Sequence, residues 1–166
     1  MPPGPVGAAY IQSEGPFDFI MGPWGSGKTV ATVFKIARHA SHLYPVCKDG
    51  VVHVRCAAIR DVYREMAKTA LQSWHEFFPK KGPYTKQPAK DHYQGGVDRP
   101  VKHTLAWQVV RQWPDGPRLT WVELEMEFAA IGETNLDSFF KGYEISMGWL
   151  NEVDLVCVSL PRRLHG

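Results

Sequence analysis

The chain has 166 residues, 44% hydrophobic and 22% charged, with a formal net charge of +2. That is enough for one domain with one sizeable core, and the charge balance does not mark a nucleic-acid binder. Cys47, Cys56 and Cys157 lie far apart with no CxxC pair, which fits a reducing compartment and argues against a disulfide framework or structural zinc. No run approaches the ~18–20 apolar residues of a membrane span.

Residues 1–16, opening "MPPGPVGAAY", read as a flexible Pro/Gly arm without the basic leader of a secretory signal. "FDFIM", Phe17 to Met21, is a short apolar run ending at glycine and predicts a buried strand. From Lys28 to about Leu43, Val30, Val33, Phe34 and Ala37 recur at helical spacing, with Pro45 just beyond. His39 and His42, three apart on that helix, are expected to be solvated, since no third metal ligand is evident. "VVHVRCAAI" from Val51 predicts a second strand, with Arg60 at its end. The next helix carries Tyr63, Met66, Ala67, Ala70, Leu71, Trp74 and Phe78 on one face, with Asp61 as N-cap and Pro79 as stop. Strand–helix–strand–helix implies an α/β fold with a parallel sheet.

Residues 79–100 read as a long loop. Its Lys80, Lys81, Lys86, Lys90 and Arg99 outnumber Asp91 and Asp98, five against two, with Tyr84, His92 and Tyr93 interleaved. That composition suits either contact with a phosphate backbone or a solvated insertion. Two strand-like runs then flank "PDG" at 114–116, a turn signal, and so predict an inserted antiparallel hairpin. In the second run Val122, Leu124, Met126 and Phe128 alternate with Glu123, Glu125 and Glu127, which read as the wet face of a half-buried strand. "YEISMGWL", Tyr143 to Leu150, is a further buried strand, running into Asn151 and Glu152. The tail, residues 161–166, adds Arg162 and Arg163.

Gly22-Pro23-Trp24-Gly25-Ser26-Gly27-Lys28-Thr29 fits GxxxxGK[ST], the phosphate-binding loop pattern. Glycines let backbone N–H groups close on phosphates, and a helix N-terminus favours an anion. Lys28 would reach the β- and γ-phosphates of ATP, and the Thr29 hydroxyl would ligate Mg2+. Hydrolysis also needs groups to hold the magnesium shell and to orient water, normally at the tip of a buried strand. Glu152 takes the water-orienting role and Asn151 the magnesium-shell position; the rival assignment gives that position to Asp154, with Leu155 following.

In order, "GPWGSGKTVATVF", "RCAAIRDVYREMAKTALQSWHEFFP", the hairpin ending "VELEMEFAAIG" and "SMGWLNEVDLV" resemble the ATPase domain of tailed-phage large terminases, from about Phe17 to Val156. The resemblance implies a P-loop NTPase domain over 17–160, with a mainly parallel central sheet flanked by helices and carrying the inserted hairpin. It implies an enzyme that hydrolyses ATP with Mg2+ to drive double-stranded DNA into a capsid, as a homo-oligomeric ring, with portal and small terminase subunit as partners, in the cytoplasm of a bacterial host. It also implies an adenine contact, for which Gln12 is the candidate. Trp24 stands where many terminases carry an arginine, so a basic group must come from elsewhere, with Lys141 or Arg60 as candidates. The family's coupling motif and nuclease domain have no counterpart after Glu152. This implies an N-terminal portion or a divergent form, and leaves open a non-catalytic module that binds nucleotide or a partner. A small-molecule kinase fits less well because of the hairpin, and a helicase because it needs more chain.

Overall fold

The computed structural model describes residues 4–80, 92–96, 99–130 and 144–152. In chain order they form α1 (Pro5–Gln12), α2 (Lys28–His42), β1 (Val51–Arg60), α3 (Tyr63–Lys68), α4 (Ala70–Phe77), β2 (Tyr93–Gly96), β3 (Arg99–Trp113), β4 (Gly116–Ala130) and β5 (Met147–Leu150). The five strands make one sheet in the order β2-β3-β4-β1-β5. The α/β class is as expected.

The sheet is mixed rather than mainly parallel. β1 pairs in parallel with β4 and β5, while β3 pairs antiparallel with both β2 and β4. The expected hairpin is β3–β4, and it is no appendage. All of β1 from Val51 to Arg60 lies in register against Trp121 to Ala130 of β4. The alternation of β4 explains this. Val122, Leu124, Met126 and Phe128 are all fully buried and join Val52, Val54, Cys56 and Ala58 of β1 in a single core. A strand with so complete an apolar face is stable only inside the sheet.

Helices α2 and α4 cover that core face. Val33, Ile36 and Ala40 of α2 and Ala70, Leu71 and Trp74 of α4 belong to the same cluster. The buried stripe of α2 is rotated from the predicted one: Phe34 is exposed, and it meets Phe77 edge-on at 5.0 Å between centroids. The single helix expected after β1 is broken at Thr69, whose backbone (φ −120°, ψ −84°) leaves the helical region. The N-cap is Val62 rather than Asp61, and no side chain caps it. Thr69 Oγ donates to Glu65 O at 2.8 Å, the local bond by which threonine competes with helix continuation.

Four further expectations are corrected. Phe17–Met21 forms no strand, and Phe19 and Met21 are 76% and 89% exposed. Its apolar composition suits a strand, but a strand needs a partner edge, and none of the sheet's pairings takes it. The N-terminal arm contains α1, started by Pro5 in its first turn and strapped to α2. Lys35 Nζ donates to Tyr10 O and Ser13 O, each at 2.7 Å, and pairs with Asp18 at 2.8 Å. His39 is buried rather than solvated and bonds Ser13 O at 2.9 Å, whereas His42 is exposed as expected. Finally, Glu127 is buried beside Lys102 (3.1 Å), although Glu123 and Glu125 are half-exposed as predicted.

Candidate functional site

Two glycines shape the loop before α2. Gly25 (φ 74°) and Gly27 (φ 78°) both adopt the left-handed conformation, which residues with a Cβ enter at a cost. Gly27 is the N-cap of α2, and its carbonyl accepts from Ala31 N at 2.9 Å. Ser26 N donates to Pro23 O at 3.3 Å, closing the turn. A Cβ at Gly22 would stand 3.0 Å from Ser26 Oγ, so glycine there allows a close approach. Residues 21–27 are all exposed, and Trp24 is 97% exposed.

Lys28 folds back over this turn. Its Nζ donates to Gly22 O and Pro23 O at 2.7 Å each and lies 3.4 Å from Ser26 Oγ. The ammonium thus spans the mouth of the loop, held by carbonyls that a phosphate oxygen would replace. Behind it are the unbonded N–H groups and positive dipole end of a helix of 15 residues. Neither Gly27 nor another side chain caps that end. Thr29 opens the helix one residue beyond the lysine.

The second half of the site lies at the tips of β1 and β5. Asn151 N donates to Ile59 O at 2.9 Å and extends the β1–β5 ladder. The chain then turns at Glu152, a non-glycine residue at φ 58°; such a conformation costs on the order of 1–3 kcal/mol. The Glu152 carboxylate forms a short ion pair with Arg60 Nη2. Arg60 is 5% exposed, and its Nη1 donates to Thr69 Oγ at 2.6 Å. The break between α3 and α4 therefore turns a threonine toward the arginine that holds the candidate glutamate. Arg60, one of the two candidate basic groups, is thus enclosed between Thr69 and Glu152 of its own chain.

Topology brings the two halves to one end of the sheet. α2 ends at His42 and β1 starts at Val51, with Cys47 N bonded to Val51 O at 2.8 Å, so helix and strand run in opposite directions. Ser41, in the last turn of α2, accepts from Trp107 Nε1 at 3.1 Å. Trp107 is opposite Val122, which is opposite Val52 at the start of β1. The first turn of α2 accordingly points toward the end of β1 that carries Arg60, and parallel β5 delivers Asn151 and Glu152 to that end. Among the described residues the bonds of Lys28 stay within its loop and that of Glu152 goes to Arg60.

Gln12 ends α1, and its neighbours Tyr10 and Ser13 are bonded to Lys35 and His39, about 10 Å and about 16 Å along α2 from Lys28 at 1.5 Å per residue. The Tyr10 hydroxyl lies 3.3 Å from Thr32 Oγ1, one turn beyond Lys28. Lys141, Asp154, Leu155, the tail and most of the basic 79–100 stretch lie outside the described residues. Sequence reasoning missed the Lys35 strap and the Arg60–Thr69 contact. Lys35 carried a signal, since it falls on the same helical face as Ala31 and His39, but a lysine is normally assigned to solvent.

The residues present fit a nucleotide phosphate and a magnesium ion in outline. The glycine turn and free helix end suit an anion, and Thr29 and Asn151 are oxygen donors of the kind Mg2+ takes together with phosphates and water. Among the described residues no group of three or more His, Cys, Asp or Glu side chains gathers to hold a metal by itself. A cavity of about 540 Å3 lies elsewhere, beside His53, Arg55, Glu123 and Glu125 on the other face of β1 and β4. Its polar side chains meet one another in His53–Glu123 and Arg55–Glu125 contacts. Among the described residues no helix is long and apolar enough to cross a membrane. No protein-family model, no curated protein and no solved structure matches the chain.

Proposed function

We propose that the chain is a P-loop ATPase of the large-terminase type, the ATP-hydrolysing part of a motor that moves double-stranded DNA into a capsid in the cytoplasm of a bacterial host. It would act as a ring, with a portal and a small terminase subunit as partners. The observation that carries the reading is the loop from Gly22 to Lys28: two left-handed glycines, an uncapped helix end and a lysine held only by its own loop. Such a turn has little reason to exist as packing, because every residue from 21 to 27 is exposed.

Bound MgATP would supply the phosphoanhydride to be cleaved and the ion that draws charge from the γ-phosphate. Loop N–H groups would bind the phosphates, and Lys28 would exchange two carbonyl acceptors for phosphate oxygens. Thr29 Oγ and the Asn151 amide would hold the magnesium shell. Glu152 orients water once its carboxylate turns from Arg60, so Arg60 acts as a positioning residue. The basic group that many terminases carry at the position of Trp24 is assigned to Lys141 of a neighbouring copy.

The second reading is a module that binds nucleotide or a partner without turnover. The Arg60–Glu152 ion pair favours it, since a carboxylate engaged by a buried guanidinium is not free to orient water. Phosphate release with and without DNA, for wild type, Lys28→Ala and Glu152→Gln, separates the two. The motor reading expects turnover in wild type and its loss in both variants. ATP binding without turnover in wild type selects the module. Turnover that survives Lys28→Ala removes the site assignment.

A further inference from the structure

Three of the seven histidines meet where α4 lies against β2 and β3. The His103 ring is fully buried and stands 5.7 Å, centroid to centroid, from both His75 and His92. Tyr93 packs against His75 at 5.2 Å and His103 at 5.3 Å, and Lys80 Nζ sits 4.8 Å over the Tyr93 ring. β4 contributes the apolar Phe128, in contact with Trp74. Among the described residues no carboxylate pairs with any of the three imidazoles.

The hydrogen bonds fix which nitrogens are bare. Trp74 Nε1–H donates to His103 Nδ1 at 3.0 Å. An indole N–H is only a donor, so this Nδ1 carries no proton, and the neutral ring holds its proton on Nε2. That Nε2 is buried with no partner, as is Nδ1 of His92. His75 Nδ1 faces Phe78 O at 3.2 Å, leaving Nε2 to accept from the Tyr93 hydroxyl at 3.2 Å. A proton added to His103 goes to Nδ1 and sets two N–H groups head to head. A proton added to His75 reverses its bond to Tyr93, whose hydroxyl then accepts. The His103 step cuts the Trp74 link between α4 and the sheet, and protonation of the cluster places imidazolium charges beside one another and near Lys80.

We propose that His75, His92 and His103 form an acid-released latch that clamps α4 onto the β2–β3 edge and opens when the cluster is protonated. At its other end α4 begins at Thr69, the residue bonded to Arg60, so opening also loosens the grip of Arg60 on Glu152. This second step rests on the reading of Glu152 as a site residue; the latch does not. Burial and the neighbouring His75 and His92 hold His103 down to about 4, against about 6.5 for a free imidazole. Between pH 7 and pH 5 the open form therefore gains roughly twentyfold from His103 alone.

Amide hydrogen exchange at pH 7 and pH 5, corrected for intrinsic rates, tests this. In wild type the amides of α4, and that of Thr104, which is bonded to His92 O at 2.6 Å, should lose about twentyfold protection. Val54 and Leu124 should hold theirs. His103→Gln keeps a carbonyl for Trp74 but cannot titrate, so its α4 amides should show little change. Should that variant not fold, His75→Gln with His92→Gln should shrink the response. Equal loss across α4 and β4, no loss at pH 5, or an unaltered response in these variants would overturn the latch. The Arg60 side-chain resonance should shift with the α4 amides in wild type; a stationary signal would sever the link to Glu152 while leaving both the latch and the nucleotide reading intact.

Discussion

The two halves of the candidate site are built in opposite ways. The glycine loop is exposed along its whole length, and its lysine bonds within the loop itself. The Arg60–Glu152 half is anchored on a buried guanidinium with partners on α4 and beyond β5. Substitutions in the loop should therefore change ligand binding with little effect on folding, whereas substitutions around Arg60 and α4 should be felt first as stability. A site of this kind can exchange an anion at one half without disturbing the scaffold at the other.

The largest effect expected on the anchored side is Trp74→Ala. Trp74 is fully buried, meets Phe128 edge-on and Phe78 at a tilt, and donates to His103. Its loss should lower unfolding free energy by about 3–5 kcal/mol in urea titration, and a change below about 1 kcal/mol would show α4 to be dispensable. Acid comes next. The His103 pKa is depressed in the fold, to about 4, so its contribution is undiminished above the free-imidazole value near 6.5. It is lost as pH falls from there toward 4, on the order of 3 kcal/mol by the end of that window. Denaturant midpoints should be level from pH 7 to 9 and fall from about pH 6.5 downward; a fall confined to below pH 4 would point to carboxylates instead. Arg60→Ala should cost about 1–3 kcal/mol, less than a fully enclosed pair because the Glu152 side chain is 38% exposed. Lys28→Ala is the smallest, within about 0.5 kcal/mol of wild type.

Much of the framework was legible in the sequence, for identifiable reasons. The alternation of Val122 to Phe128 and the β-branched run from Val51 marked two central strands, and Pro114-Asp115-Gly116 marked the hairpin that joins β3 to β4. What pattern alone did not convey was pairing. Phe17–Met21 has strand composition but joins neither outer strand of the sheet, and β4 has no local signal saying that its neighbour is β1, seventy residues earlier. Polar side chains that turn inward were the other blind spot. Lys35, His39, Arg60, His103 and Glu127 are all buried, and each has a bonding partner far along the chain rather than among neighbours in a window. The glycine loop was legible because its chemistry is contained in eight consecutive residues, while the hold of Arg60 on Glu152 spans ninety-two.

The most direct measurement is calorimetric titration of MgATP into wild type, Lys28→Ala and Glu152→Gln. The account predicts saturable binding to wild type, at least about tenfold weaker binding to Lys28→Ala, equivalent to 1.4 kcal/mol or more, and near wild-type binding to Glu152→Gln. Absence of MgATP binding by folded wild type, or affinity unchanged by Lys28→Ala, would contradict it.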